Sequence, residues 1–502
     1  MVFKSRRITK KFVFGLRGEF MIKFNDIIKN KFILSPHQLQ LMEYSNKNCF
    51  KLKDLLERPL QKNDNGIDVG SSNYMKYSDY KFLKTRVANK DTYIIDLSSK
   101  ESFEYMNYSA FVNQNLKSGD ILISKDSNIG ECCILDEDLP NCMIASAFYK
   151  LPLTKNKYYI FAFMKTDHFK KQLDLMVPRG ATIRHAGTKF LDCNIPFPNG
   201  KDSLKIIFKI ENIVKTIIEK EKQIIINENE IFSLIEQELK DKSYMSKYYF
   251  PCFNEILENN RIDAGYYCNE FKSINSLIKN YKNGYSTLSN FGFTISRGQN
   301  LQVSCIGKSI ESDEYQKGFY KIAKPTNLSN YGTVTSYTFL GNKKNLSLLK
   351  NGDIVFSAEG TIGKCAMFYN VNNEKVITNI HGIILNKLNH DIIESGFVCC
   401  FLRYLKNINY FDYLSVGGQG GSLAMKYWNN IIIPNFPKSL MENVSKLYCD
   451  INSNNTNNII NLTEQIKTMK QYLNKIFNLI ISKEYIDYAD IEKIINEQNE
   501  NF

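Results

Sequence analysis

The segment "SGDILISKDSNIGE" at residues 118–131 has a partner at 351–364, "NGDIVFSAEGTIGK", and this repeat limits the possible folds more than any other feature. Gly119-Asp120 recurs as Gly352-Asp353, and Ile129-Gly130 as Ile362-Gly363, both 233 residues later. Gly and Asp supply a turn and the apolar run that follows supplies a strand, so each copy reads as strand, polar turn, strand. Downstream, "CNIPFP" (193–198) is echoed by "IIIPNFP" (431–437), with an offset of 238 for the Ile-Pro step. Gly-Asp-Ile alone is a common strand entry, but three landmarks in one order are poorly explained by coincidence. A helical pattern follows each Pro pair. The chain therefore reads as globular unit, helix, globular unit, helix.

The first helix is predicted from about Ser203 to Leu239. Ile206, Ile210, Ile213 and Ile217 fall in a 4-3-4 rhythm along one face. The stripe shifts near Ile224-Ile225 and resumes at Ile231, Ile235 and Leu239. The second helix opens with Leu440, Val444, Leu447 and Ile451, meets a broken turn in "NSNNTNN" (452–458), and resumes as Ile459, Ile466, Met469, Leu473, Ile476 and Ile480. At ~1.5 Å per residue each would span roughly 50 Å. Neither can bury its stripe alone, so the two are expected to pack together. Strand-like runs such as "DTYIIDL" (91–97), "DILIS" (120–124), "CMIASAFYKL" (142–151) and "KVITNIHGIIL" (375–385) fill 45–198 and 265–437, with short helices such as "SGFVCCFLRYLKN" (395–407).

Charge narrows the partner. Sixty-five Lys and Arg against 52 Asp and Glu leave a formal +13, which favours a polyanion, and nucleic acid is the commonest one. The twelve cysteines include the adjacent pairs Cys132-Cys133 and Cys399-Cys400 but no CxxC, so structural zinc is not expected and they read as small buried residues. Scattered thiols without a signal peptide suggest the cytoplasm. No apolar run approaches the ~20 residues of a membrane-spanning helix. The N-terminal "MVFKSRRITKKFVFGLRGEF" is basic, and reads as a loose arm or as an extension ahead of a start at Met21.

Signs of catalysis are few. The Asn/Asp-Pro-Pro-aromatic stretch of an amino-methyltransferase does not occur, nor does a Gly-rich S-adenosylmethionine loop. "GGQGG" (417–421) lacks a following Lys-Ser/Thr, so it reads as a hinge or a loop lying on DNA. Asp120, Asp126 and Glu131 could converge on a nuclease metal, yet the repeat keeps only the first, as Asp353, and puts Glu359 and Lys364 at the others. His37, His168, His185, His381 and His390 form no pattern and read as lone polar or packing residues.

The layout resembles the specificity (S) subunits of type I restriction–modification systems. The likeness is carried by "GDILISKDSNIGECCILDEDLPNCMIASAFYKL" (119–151) and "GDIVFSAEGTIGKCAMFYNVNNEKVITNIHGIIL" (352–385). The closing loops "VPRGATIRHAGTKFLDCNIPFP" (177–198) and "SVGGQGGSLAMKYWNNIIIPNFP" (415–437) add to it, as does "RIDAGYYCNEF" (261–271). The family's Leu-x-Glu-Gln helix start is missing from "FPNGKDSLKIIF" and "FPKSLMENVSKLY".

The resemblance implies an α+β fold with two similar mixed α/β target-recognition domains. Two long helices, packed as an antiparallel coiled coil with pseudo-twofold symmetry, would hold them apart. The expected layout is a basic arm (1–30), domain 1 (31–200), a central spacer helix (201–245), domain 2 (246–437), a C-terminal spacer helix (438–482) and a tail (483–502). The chain would read a bipartite duplex site without catalysing anything and bind two copies of a modification subunit, with motor-nuclease subunits as further partners. It would hold no cofactor of its own, since S-adenosylmethionine belongs to the methyltransferase subunit. Alternatives are a recognition subunit of a methyltransferase-only or type II-like system, a metal-dependent nuclease, and a scaffold for single-stranded nucleic acid, whose stacking platforms the 30 Tyr and 33 Phe could supply.

Phosphate contact needs cations, and base edges suit Arg, Lys, Asn and Gln. The candidates in the first domain are Lys84, Arg86, Lys125, Arg179 and Arg184; in the second they are Arg297, Gln299, Lys321, Lys324, Lys364, Gln419 and Lys426.

Overall fold

In the computed structural model the described residues are 44–177, 185–240, 251–369, 374–417, 421–450 and 456–499. The basic arm and Met21 lie outside them. Helices and several small sheets make an α+β protein. The chain divides into two compact units, one of residues 1–221 with 466–502 and one of residues 222–465. The boundary falls within the helix Ser203–Lys240, and again within the helix Ile459–Ser482.

The first unit contains β1 (Cys49–Lys51), β2 (Tyr74–Met75), β3 (Lys81–Leu83), β4 (Phe103–Met106), β5 (Ile121–Ser124), β6 (Cys132–Ile134), β7 (Cys142–Ile144), β8 (Phe148–Leu151) and β9 (Asn194–Pro196). They form sheets ordered β2-β4-β3-β7 and β6-β5-β8, and a pair β1-β9. All four residues of β5 are buried. Gly119 enters this strand at φ 85°, a conformation that costs a residue with a Cβ. The Lys117 N–H donates to Asp120 Oδ2 at 2.9 Å and tightens the turn. β5 returns as β6 through a turn in which the Gly130 N–H, at φ 79°, donates to the Ser124 carbonyl at 2.8 Å.

In the second unit come β10 (Tyr285–Thr287), β11 (Phe293–Arg297), β12 (Ile310–Ser312), β13 (Tyr320–Ile322), β14 (Thr338–Gly341), β15 (Ile354–Ser357), β16 (Cys365–Met367), β17 (Val376–Ile377), β18 (Gly382–Lys387) and β19 (Ile432–Pro434). Here the sheets are β12-β14-β13-β17 and β11-β18-β15-β16, with a pair β10-β19. The pairing of β15 with β16 repeats that of β5 with β6 residue by residue, and β18 takes the place of β8. Ile121 faces Ile134 and Leu151, while Ile354 faces Met367 and Leu385. The Lys350 N–H donates to Asp353 Oδ2 at 2.8 Å, and Gly352 stands at φ 85°. A parallel pair, β3 with β7, has its counterpart in β13 with β17. Leu116, Leu122, Cys133 and Leu135 belong to one buried cluster; the residues 233 positions on, Leu349, Val355, Ala366 and Phe368, belong to another. Burying each large side chain contributes about 1.5–3 kcal/mol, so the same positions support both folds.

Two short helices, Lys157–Met164 and Asp167–Met176, pack within the first unit; Ile392–Asn407 and Tyr410–Leu414 follow β18 in the second. Asp391 begins the third of these by accepting from the Glu394 N–H at 3.0 Å.

The helix Ser203–Lys240 buries Ile206, Ile210, Ile213 and Ile217 and then Ile224, Ile231, Ile235 and Leu239. The second helical stretch is interrupted, as Lys438–Tyr448 and Ile459–Ser482. Asn458, the last of the Asn-rich run, starts the later helix by accepting from the Asn461 N–H at 2.9 Å. Each unit ties the long helix to the rest of its fold through one buried carboxylate. In the first unit Glu221 accepts from the Tyr93 and Ile94 N–H groups at 2.8 and 3.0 Å and from Lys470 Nζ at 2.9 Å. In the second, Glu228 takes Arg403.

Two expectations change. "DTYIIDL" is no strand: its Tyr93 and Ile94 N–H groups go to Glu221, leaving only an isolated bridge between Ile94 and Ile134. The tail contains a helix, Tyr488–Asn499, whose first N–H donates to Asp202 Oδ2 at 3.2 Å while Lys205 Nζ sits 3.5 Å from the Tyr488 ring. No helix among the described residues is long and apolar enough to cross a membrane.

Candidate nucleic-acid interface

The twelve candidates fall into three groups by what already holds them. Lys84 lies at the end of β3, 2.5 Å from Glu104 and over the Tyr74 ring at 5.7 Å. Arg86 pairs with Glu101, and Lys321 in β13 pairs with Glu374. These three cations are held closely by carboxylates, which lowers what each can offer a phosphate.

A second group is held by neutral or mixed contacts. Lys125, in the turn after β5, donates to Asn65 Oδ1 at 2.9 Å and lies 4.8 Å from the centre of the Tyr149 ring. Arg297 ends β11, exposed, with Nη1 3.5 Å from Glu359. Gln299 accepts from the Ser347 N–H at 3.4 Å, and its own N–H donates to the Thr378 carbonyl at 2.9 Å. Lys364 is half-buried in the turn before β16, where its carbonyl accepts from the Ser357 N–H at 2.7 Å. Lys324 is half-buried at the exit of β13. Lys426 is exposed in the turn before β19, 4.9 Å from the Tyr427 ring centre, with no ion pair among the described residues. Arg179, Arg184 and Gln419 lie outside the described residues.

Two histidines take on a role that spacing did not suggest. Asp126 and Glu359 are equivalent, each two residues past the last strand residue of the repeated hairpin. Asp126 Oδ1 is 2.7 Å from His185 Nδ1, and Glu359 Oε2 is 2.7 Å from His381 Nδ1. The His381 ring, with Arg297 behind it, holds the Glu359 carboxyl below the usual carboxylate range. Only contact with equivalent carboxylates relates His185 to His381, since the two are not at corresponding chain positions.

The three carboxylates weighed as a nuclease site are engaged separately. Asp120 meets the Lys117 N–H and Lys150, Asp126 meets His185, and Glu131 meets Lys170 at 2.8 Å. Among the described residues, no three His, Cys, Asp or Glu side chains are grouped to hold a metal ion.

No family model and no curated protein matches the chain. Solved structures that it resembles include the type I restriction–modification system S subunit from M. genitalium, with TM-score 0.39 and 13% identity, covering 89% of this chain and 100% of that one. The HsdS subunit from Thermoanaerobacter tengcongensis gives TM-score 0.28 and 12% identity over 89% of this chain and 99% of that one. A structure described as bearing on complex assembly and conformational transition of the type I R-M system gives 0.28's near equal, 0.27, with 12% identity, over 88% and 100%.

Proposed function

We propose that this chain is a non-catalytic specificity subunit of a type I restriction–modification system, reading a split duplex DNA site. The observation that carries the reading is the repeated hairpin: two compact units hold it in the same register, over equivalent core positions. A repeated reader suits two half-sites on one face of a duplex. The formal charge of +13 suits a polyanion, and the quoted repeats carry the resemblance to S subunits.

In this reading the units are target-recognition domains, and the long helices pair as an antiparallel coiled coil that sets the gap between half-sites with pseudo-twofold symmetry. Lys125, Arg297, Lys324, Lys364 and Lys426 supply phosphate contacts, with Gln299 nearer to the bases. Arg179, Arg184 and Gln419 belong to the same proposed surface, and Lys84, Arg86 and Lys321 contribute less because carboxylates hold them. Two modification subunits bring S-adenosylmethionine and methylate adenine; motor-nuclease subunits complete the assembly in the cytoplasm.

The experiment combines purified chain, duplex DNA and S-adenosylmethionine, with and without a cognate modification subunit. Sequence-specific methylation only when both proteins are present is the expected result. Methylation by the chain alone would overturn the reading. A second reading, a scaffold for single strands, is favoured by the exposed Tyr77 and Tyr108, which are 71% and 70% accessible. Competition decides between them: preference for single strands over duplex would promote it.

A further inference from the structure

The carboxylate that follows the repeated strand holds a histidine in both units, by two different routes. In the first, Asp126, at the start of the turn, is bridged antiparallel to His185 itself, and the Ala186 N–H donates to the Lys125 carbonyl at 2.8 Å. In the second, the equivalent bridge joins Glu359 to Ser422, and the Leu423 N–H donates to the Ala358 carbonyl at 2.9 Å. Ser422 thus stands where His185 stands. The histidine comes instead from the turn ahead of β18, as His381, yet it reaches its carboxylate at the same 2.7 Å.

Stability does not explain this recurrence. The two imidazoles are 69% and 59% exposed, and an exposed ion pair contributes only about 0–1 kcal/mol. Fixing an exposed ring in one orientation does have a use in recognition, where a side chain held by its neighbours loses less freedom on binding. A carboxylate can only accept, so Nδ1 carries the proton; in the neutral ring Nε2 then presents a lone pair. In the major groove an acceptor pairs with the amine of adenine N6 or cytosine N4. A cation accompanies each carboxylate: Lys125 precedes Asp126 in the chain, and Arg297 lies 3.5 Å from Glu359. Beside the second pair, a Cβ on Gly360 would meet no atom within 4 Å, so the turn has room at its outer side.

We propose that His185 and His381 are specificity-determining residues, each oriented by its carboxylate to accept a hydrogen bond from an exocyclic base amine, one in each half-site. The inference rests on the DNA-reading function proposed above and adds to it the residues and the base chemistry.

The test is selection from a fully randomised duplex library at low salt by the full-length chain and by His185→Ala, His381→Ala and Asp126→Ala variants, with thermal melts to confirm folding. The wild-type chain is expected to select a split motif. His185→Ala should lose roughly tenfold of its preference at one base pair of one half, leaving the other half intact, and removing the major-groove amine of that pair should weaken the wild-type chain as much. His381→Ala should do the same in the other half, and Asp126→Ala should weaken the position that His185→Ala weakens. Folded variants that select the unchanged motif would overturn the inference while leaving the DNA-reading function standing. So would a loss spread over both halves, or an affected pair at which wild-type binding is unchanged when the amine alone is removed, with purine in place of adenine or 2-pyrimidinone in place of cytosine. A wild-type chain that selects no motif removes the DNA-reading function and this inference together.

Discussion

Glu228 and Arg403 hold each other in a bidentate pair, at 2.9 and 2.6 Å, with side chains only 6% and 2% exposed. The pair joins the long helix to the helix Ile392–Asn407 within the second unit, and Glu228 is the principal cause that keeps Arg403 firmly charged against the cost of its burial. Removing one partner leaves a buried charge unmatched. Glu228→Ala is expected to destabilise the second unit by about 3–5 kcal/mol, whereas a double replacement by apolar residues of similar size should cost much less. Urea unfolding of the two variants checks this; equal losses would show that the pair contributes no more than its packing.

The turn glycines form a matched pair of tests. A Cβ at Gly130, at φ 79°, would collide with Leu173; at Gly363, at φ 88°, it would meet Phe411 at 2.8 Å and Lys406 at 2.9 Å. Each Gly→Ala change should cost about 1–3 kcal/mol by thermal unfolding, because the backbone conformation and the space both resist it. Gly70→Ala, whose Cβ would meet nothing nearer than Ser72 Oγ at 3.7 Å, serves as the silent control.

Acid should weaken the first unit through Asp64. Arg58 grips its carboxyl at 2.6 and 2.8 Å and, as the leading cause, holds it below the usual carboxylate range. A lowered folded-state value means that the stabilisation is complete above the unfolded value of about 3.9 and fades as pH falls through the folded one. Asp64→Asn should therefore flatten the loss of stability in acid below about pH 4, read from urea midpoints across that range. An unchanged acid slope would contradict the assignment.

Salt dependence separates the candidate cations. Lys426 is exposed without an ion pair among the described residues, while Arg86 is matched by Glu101. Each phosphate neutralised adds about 0.9 to the slope of log affinity against log salt. Lys426→Ala should lower that slope by nearly one such step and Arg86→Ala by less. The reverse ranking would place the interface elsewhere.

What was legible in the sequence is what short-range chemistry decides. Gly119 and Gly352 announce a backbone that few other residues adopt, and Asp120 and Asp353 close the turn beside them, so the repeated hairpin can be read from letters alone. The helix Ser203–Lys240 was visible because its buried positions recur on one face. Long-range effects were not visible. The run "DTYIIDL" has strand-like composition, but a glutamate 127 positions after Ile94 takes the Tyr93 and Ile94 N–H groups. The sheet containing β2, β4, β3 and β7 has strands of two to four residues, too short for a period to show. For the interface, cations could be named but their carboxylate neighbours could not: Lys321 and Glu374 are 53 positions apart. His185 and His381 looked unrelated because they reach equivalent carboxylates from different parts of the chain.

Base-resolution methylation mapping of cells with and without this gene tests the central claim most directly, above all when the helix Ser203–Lys240 is also lengthened by four residues in register. The account predicts two short half-sequences at a fixed gap, lost with the gene, and a changed gap with unchanged half-sequences in the lengthened form. Methylation that persists without the gene, or half-sequences that change when only the helix is lengthened, would contradict it.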